Sequence, residues 1–485
     1  MTEATAPAHP DSRRRWGILA IVGAAFFMTV LDVAIVNVAI PSIQKDLHVA
    51  ETTVQWVLTA YAITFGGFLL LGGRMADLLG RKRIFIVGLV LFTLASLACG
   101  LANSAGVLIA SRAVQGVGAA IISPAALSIV QTTFEEGAER NKALGIWGAL
   151  GGSGAAAGVL FGGILTKYLG WQWIFFVNVP VGALVLGLTI PFVPESRVEV
   201  AERRFDAAGA VTVTSGLALL VYAISKAPDV GWGSARTILL LIAAFAILGI
   251  FVVIELRTRA PLMPFGIFRN QSLLGANVVG FLLGAVIFAN FFVLTLYVQQ
   301  VLGWSALKTG LTFLATAGTV VIWAGVAQAL TTRFGPRPII AIGLVVLAAS
   351  MGYYTQIPVD GHFWPDLLPA YLTFALGLAF SFVPVTIAAL AQVAPDEAGL
   401  ASGLNNTNQQ IGGAIGVAVS STIFISSAKS LLKTGHSPAA AFTSGYQDAF
   451  WALIAMALLG ALLALVLLRG AKVEVPEPEA APARG

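Results

Sequence analysis

Charge is what this chain has least of. Only 11% of its residues are Asp, Glu, Lys or Arg, against about 25% in a soluble globular domain. Cysteine is nearly absent: Cys99 stands alone, so no internal disulfide can form and no redox compartment can be inferred. Histidine is scarce too, and His9, His48, His362 and His436 all fall in tails or loops, where they build no cofactor or metal cluster. No phosphate-cradling Gly-x4-Gly-Lys-Ser/Thr run occurs, which excludes an ATP-driven pump of the P-loop kind. The polar remainder is too small to hide a catalytic domain. An enzyme is therefore not expected, and neither a cofactor nor a metal is called for. The net charge of +5 does not point to nucleic acid, because the basic residues form no stripe or aromatic-interleaved patch.

What the chain does have is apolar length. Hydrophobic residues make up 58% of it, and they gather into runs long enough to cross a bilayer, which takes about 20 residues per helix. Fourteen such runs are predicted, at 16–40, 54–72, 84–103, 107–133, 142–166, 172–192, 208–225, 236–255, 271–300, 307–331, 338–357, 366–392, 400–427 and 449–469. The first is too long for a signal-peptide core and reads as a spanning helix. The ninth and twelfth are long enough to be tilted or to include interfacial turns. Backbone groups in lipid must be paired within their own segment, so runs of this length are helices.

Lys and Arg set the orientation. One set of loops, with both tails, carries Arg13–Arg15, Arg74, Arg81, Lys82, Arg83, Arg140, Lys142, Arg197, Arg203, Arg204, Arg257, Arg259, Arg269, Arg333, Arg337, Arg469, Lys472 and Arg484. The alternate set holds only Lys45, Lys167, Lys226, Arg236, Lys308, Lys429 and Lys433. The richer side is expected to be cytoplasmic, with both termini there, in a plasma (inner) membrane. Tryptophans at run ends, such as Trp16, Trp171, Trp304 and Trp451, suit the interface.

A weak internal echo suggests duplication. Gly80 opens a basic turn after helix 2, Gly80-Arg81-Lys82-Arg83, and Gly335 opens another after helix 10, Gly335-Pro336-Arg337. Two halves of six helices leave helices 7 and 8 between them, an arrangement of repeats typical of secondary transporters.

The spacing Gly73-x3-Asp77-x2-Gly80-Arg81-Lys82 resembles the cytoplasmic signature of the major facilitator superfamily. The segment from Leu31 through Asp32 and Asn37 to Pro41 is similar to the first-helix motif of its fourteen-helix drug:proton antiporter family. The segment from Leu108 through Arg112, Gln115 and Gly116 to Gly118 resembles the fourth-helix motif. Trp171 to Gly182 resembles the start of helix 6, and Ala401 to Gly413 the helix 13 pattern. In helix 5 the family's Gly-Pro-x-x-Gly-Gly stands here as Gly158-Val159-x-x-Gly162-Gly163; the proline, thought to bend the helix and limit leak, is missing.

This resemblance, spanning about 16–470, implies an all-α membrane protein with the major facilitator fold: fourteen transmembrane helices in a 6+2+6 order and two pseudo-symmetric six-helix bundles. The expected divisions are a cytoplasmic tail at 1–15, the first bundle at 16–195, two added helices with their loops at 196–269, the second bundle at 270–470 and a cytoplasmic tail at 471–485. The implied activity is proton-coupled export of a lipophilic, cationic small molecule by alternating access, driven by the proton gradient. Its partners are that substrate, protons and membrane lipids, with no nucleic acid, and a monomer suffices. A dedicated exporter of one endogenous metabolite or lipid would share every motif. A non-transporting membrane sensor or scaffold is the reading from another class.

Asp32 is the one carboxylate placed deep in a helix. A charge at that depth costs at least about 2.5–3.5 kcal/mol and so needs a partner, water or protonation. It is the candidate for proton coupling or substrate contact, the alternative being a permanently paired structural Asp. Arg112 stays charged and could tune Asp32 or orient substrate, or simply pair with backbone carbonyls. Gln115 shares its helix face.

Asn37, Trp56, Tyr61, Gln115, Asn290, Asn405 and Gln409 are the candidates for a cavity lining, against ordinary packing or interhelical hydrogen bonding. Gly73, Asp77, Gly80, Arg81 and Lys82 are the candidate conformational latch, with Asp77 expected to meet a helix N-terminus of the other half, against a solvated basic loop that only sets topology. Gly154, Gly158, Gly162 and Gly163 form the helix 5 motif, readable as close packing or as a sliding interface.

Overall fold

The computed structural model describes residues 12–134, 138–196, 206–258, 261–263, 265–391 and 398–468. Fourteen long helices fill them: α1 (Ser12–Leu47), α2 (Trp56–Leu79), α3 (Arg81–Gly100), α4 (Ala105–Thr133), α5 (Ala138–Tyr168), α6 (Asn178–Phe192) and α7 (Ala207–Val230). The chain continues with α8 (Ala235–Arg257), α9 (Gln271–Leu296), α10 (Ala306–Phe334), α11 (Pro336–Tyr354), α12 (Leu368–Leu390), α13 (Ala398–Lys433) and α14 (Pro438–Leu467). Each predicted run has its helix. Short helical turns at Glu51–Val54 and Trp173–Phe176 lead into α2 and α6. The two over-long runs overlap π-helical turns, Tyr297–Val301 after α9 and Phe363–Leu367 before α12.

Ends are set by caps rather than by apolarity. Ser437 accepts a hydrogen bond from the Ala440 amide, and Pro438 occupies the first turn, where its missing N–H costs nothing. α14 therefore starts at Pro438, well before the predicted 449. Its first turns carry Thr443, Gln447 and Asp448, which conceal a helix from hydropathy. Gly80 (φ 113°) and Gly335 (φ 81°) end α2 and α10 in backbone that a Cβ disfavours. The two aligned glycines thus play the same part in both halves.

The faces are inverted relative to a soluble protein. α8 exposes Leu239, Ile242, Phe245, Ile250, Val253 and Leu256 while burying Thr237 and Glu255. An apolar girdle of this extent belongs in lipid.

Helix pairing shows the duplication. Within the first bundle α1 packs along α5, α2 along α4, α3 along α4 and α6, and α1 along α6. Every one of these pairs recurs with both numbers raised by eight: α9 with α13, α10 with α12, α11 with α12 and α14, α9 with α14. The seam between halves obeys the same rule, since α2 meets α13 and α10 meets α5. α7 and α8 fall outside it. They pack on each other, and α7 lies across the α2–α13 seam, where Ala62, Ile63, Leu217, Val221, Ala414 and Ala418 form one apolar cluster.

Candidate functional site

Five helices of the first bundle converge on Asp32. Its carboxylate is fully buried in α1, and Arg112 of α4 is 1% exposed. Arg112 Nη1 donates to Asp32 Oδ2 at 2.5 Å. The other oxygen, Oδ1, accepts from Gln115 Nε2 at 2.8 Å and from Asn178 Nδ2 at 2.9 Å. Arg112 and Gln115, three residues apart on one helix face, also bond each other, Nη1 to Oε1, at 2.6 Å. Arg112 Nε donates to the Val57 carbonyl of α2 at 2.9 Å. Ser96 Oγ of α3 accepts from Gln115 Nε2 at 2.6 Å and from Asn178 Nδ2 at 3.4 Å. The Tyr61 ring lies 4.2 Å from the guanidinium carbon and the Phe175 ring 5.7 Å.

A buried ion pair repays its desolvation only when geometry is good and the remaining polar atoms are satisfied; both conditions hold here. Protonation of Asp32 would remove the ion pair and turn one acceptor into a donor. Taking up a proton and keeping this network intact are therefore mutually exclusive. The residues that composition alone did not mark are Ser96, Asn178 and Phe175. Asn178 stood in the helix 6 motif, and its place as the first residue of α6 aims its amide into the bundle.

The remaining candidates are dispersed. Asn37 Nδ2 donates to the Val33 carbonyl of its own helix at 2.9 Å. Trp56 packs against Tyr222 of α7, centroids 6.5 Å apart, in the seam cluster. In the second bundle Asn290, Asn405 and Gln409 are buried, and the side-chain oxygens of Asn290 and Asn405 have no hydrogen-bond partner among the described residues. Asn408 donates to Asn277 at 2.6 Å, joining α13 to α9.

Asp77 lies in the last turn of α2, and its side chain lies outside the described residues. The N-terminus of α3 is met by Glu195, just beyond α6: its Oε1 accepts from the Lys82 amide at 3.1 Å and its Oε2 from the Arg83 amide at 3.2 Å. Lys82 Nζ donates to the Ile190 carbonyl at 2.7 Å, and the Arg81 amide donates to the Ser196 carbonyl at 2.9 Å. A carboxylate at a helix N-terminus gains from its unpaired amides and dipole. A Cβ on Gly80 would fall 2.7 Å from Glu195 Oε1, so the turn and its acidic clasp fit only with glycine there.

The helix 5 glycines lie against α1 on both sides of Asp32. A Cβ at Gly154 would sit 3.2 Å from the Phe27 carbonyl, at Gly158 2.6 Å from that of Leu31, and at Gly162 2.8 Å from that of Ile35. Gly163 turns to the other half, where a Cβ would meet the Ala306 carbonyl at 2.8 Å.

The Major Facilitator Superfamily family model matches residues 22–417. The chain is 41% identical over 473 residues to the puromycin resistance protein of Streptomyces alboniger, covering 96% of this chain and 93% of that one. It is 37% identical to the cephamycin export protein of Amycolatopsis lactamdurans, covering 93% and 92%. With the tetracenomycin C resistance and export protein of Streptomyces glaucescens the identity is 34%, covering 85% and 76%. Among solved structures, the POT family transporter PepTSo superposes with a TM-score of 0.70 at 14% identity, covering 96% of this chain and 99% of that one. This last likeness is one of fold.

Proposed function

The chain belongs to the major facilitator superfamily, and from that premise we propose that it is a proton-coupled exporter of lipophilic, cationic small molecules working by alternating access. It is a multi-pass membrane transporter and not an enzyme. The observation that carries the finer reading is the buried Asp32–Arg112 pair with its Gln115 and Asn178 donors. Intramembrane carboxylates at such depth are functional sites by default.

In this proposal substrate enters from the cytoplasmic side, where both termini lie by the distribution of Lys and Arg. The halves then rock about the α2–α13 and α5–α10 seams. A proton arriving at Asp32 from outside frees Arg112 and the two amides, and that rearrangement drives release and return. The relatives' names add weight to export: they are resistance and export proteins.

Those names each carry a single natural product, which favours a second reading, a dedicated exporter of one endogenous metabolite. Growth-inhibition profiles across dyes, quinolones, quaternary ammonium compounds and puromycin separate the two by breadth. The coupling test uses proteoliposomes with a pH-sensitive dye inside. Puromycin or a quaternary ammonium dye should drive proton movement through the wild type and not through Asp32→Asn. Unchanged antiport in Asp32→Asn would remove Asp32 from the coupling role.

A further inference from the structure

A pair of buried acids lies outside both bundles, where the α7–α8 hairpin docks on α2. Asp206, 4% exposed, caps α7: its Oδ1 accepts from the Gly209 amide at 2.6 Å. Glu255, 3% exposed, lies in the last turn of α8, and its Oε2 accepts from the Met263 amide at 3.0 Å. Each acid thus spends one oxygen on the backbone. The other two, Asp206 Oδ2 and Glu255 Oε1, converge above Gly209, where a Cβ would lie 2.8 Å from the first and 2.6 Å from the second. Neither has a hydrogen-bond donor among the described residues.

Two carboxylate oxygens facing each other in a dry site repel when both are charged and bond when one holds a proton. The packing next to them is apolar: Ala210 and Leu262 pack with Leu71, Phe68 and Met75 of α2. Of the charged residues on the packed elements, Arg257 of α8 and Arg74 of α2 lie at this end and are exposed, while Lys226, Asp229 and Arg236 lie at the opposite end of the hairpin. The side chain of Asp77 of α2, and Glu202, Arg203, Arg204 and Arg259, lie outside the described residues.

We propose that Asp206 and Glu255 form a second proton-binding site, holding one proton between Asp206 Oδ2 and Glu255 Oε1. The proton ties the start of α7 to the end of α8, beside the apolar contact of Ala210 and Leu262 with the cytoplasmic half of α2. Loss of that proton sets two like charges against each other and loosens this end of the hairpin. This site is separate from Asp32 and needs no transport to operate.

The test is hydrogen exchange with mass spectrometry on the full chain in nanodiscs, corrected for the intrinsic rise of exchange with pH. In the wild type, protection of 206–212 and 255–263 should fall by up to about tenfold per pH unit once the proton leaves. Glu255→Gln supplies a permanent donor to Asp206 Oδ2 and should stay protected at every pH. Asp206→Asn, which keeps the helix cap, does the same from the other side and serves if Glu255→Gln fails to fold. Protection independent of pH in the wild type would overturn the proposal, as would the wild-type pH dependence persisting in both variants. Recovery of protection at high pH on adding Na⁺ or Ca²⁺ would make the pair a cation site instead. Loss of the effect in Asp32→Asn would assign it to the transport cycle.

Discussion

At Asp32 three donors meet one carboxylate, and the arrangement has energetic consequences that single and double substitutions separate. Removing Arg112 leaves a buried carboxylate with two amide donors but no counter-charge, a change that costs about 3–5 kcal/mol in buried pairs. Arg112→Ala should therefore lower the SDS-unfolding midpoint more than Asp32→Asn does. Asn keeps an acceptor for Gln115 or Asn178 and removes the charge that Arg112 had to offset. The two substitutions share one network, so together they should cost less than their sum, with a coupling of roughly 0.5–3 kcal/mol. Strict additivity would mean that the 2.5 Å contact contributes nothing to stability. Arg112→Lys offers a sharper comparison. A lysine can reach either Asp32 or the Val57 carbonyl, but it lacks the planar fork that bonds both, so it should restore only part of the midpoint.

Among the helices, α5 and α1 show what the glycine spacing does. Gly158→Ala places a Cβ 2.6 Å from the Leu31 carbonyl and 2.8 Å from the Ala34 Cβ, neither of which can rotate away. Overpacking of this kind costs about 1–3 kcal/mol, and the displaced α1 carries Asp32. Gly158→Ala should lower the melting temperature and the export rate together. Gly151→Ala, whose nearest neighbour is the Phe26 ring at 3.6 Å, should leave both nearly unchanged; equal effects would show that contact with α1 is not what the stripe serves. The clasp at α3 yields another midpoint shift: Glu195→Gln keeps one acceptor oxygen for the two amides and loses the anion, the charge being worth about 0.3–1 kcal/mol at an exposed N-terminus and the lost bond about 0.5–1.5 kcal/mol. Much at this scale was legible beforehand, because lipid forces helical runs to be long, apolar and bounded by charge. What stayed hidden were features with no hydropathic signal. The polar start of α14 is one, and the π form, rather than the presence, of the turn at Tyr297–Val301 is another. Glu195 is a third: its partners are the Lys82 and Arg83 amides, more than a hundred residues away in sequence. Asp32, Arg112 and Gln115 were marked by polarity in apolar runs, whereas Ser96 and Asn178 are small or terminal enough to pass as packing.

For the molecule as a whole, the recurrence of the first bundle's main helix pairs under a shift of eight, seams included, means that the halves are held together by repeated seams rather than by a shared core segment. At the end away from the termini the seam includes polar bonds. Gln299 donates to the Val38 carbonyl at 2.8 Å, and Gln300 donates to Gln44 at 2.8 Å. Near them Gly310 meets the Val159 carbonyl and Gly163 the Ala306 carbonyl. The proposed alternating access requires all of these to part once per cycle, and hydrogen bonds that exchange with water cost only about 0.5–1.5 kcal/mol each. That is small enough for a two-state equilibrium that differential ligand binding can bias. Cys99, the one cysteine, is buried, so a Cys99→Ala background lets Gln44→Cys and Gln300→Cys be bridged selectively. A short cleavable bis-maleimide should link them in high yield in the resting protein and abolish export. Cleaving the linker should restore it. The same linker placed between Gln44→Cys and Lys45→Cys, both on α1, should leave export intact. Full export by the cross-linked Gln44–Gln300 pair would mean that this end of the seam stays closed throughout the cycle, and that the substrate leaves by a route the two-half mechanism does not contain.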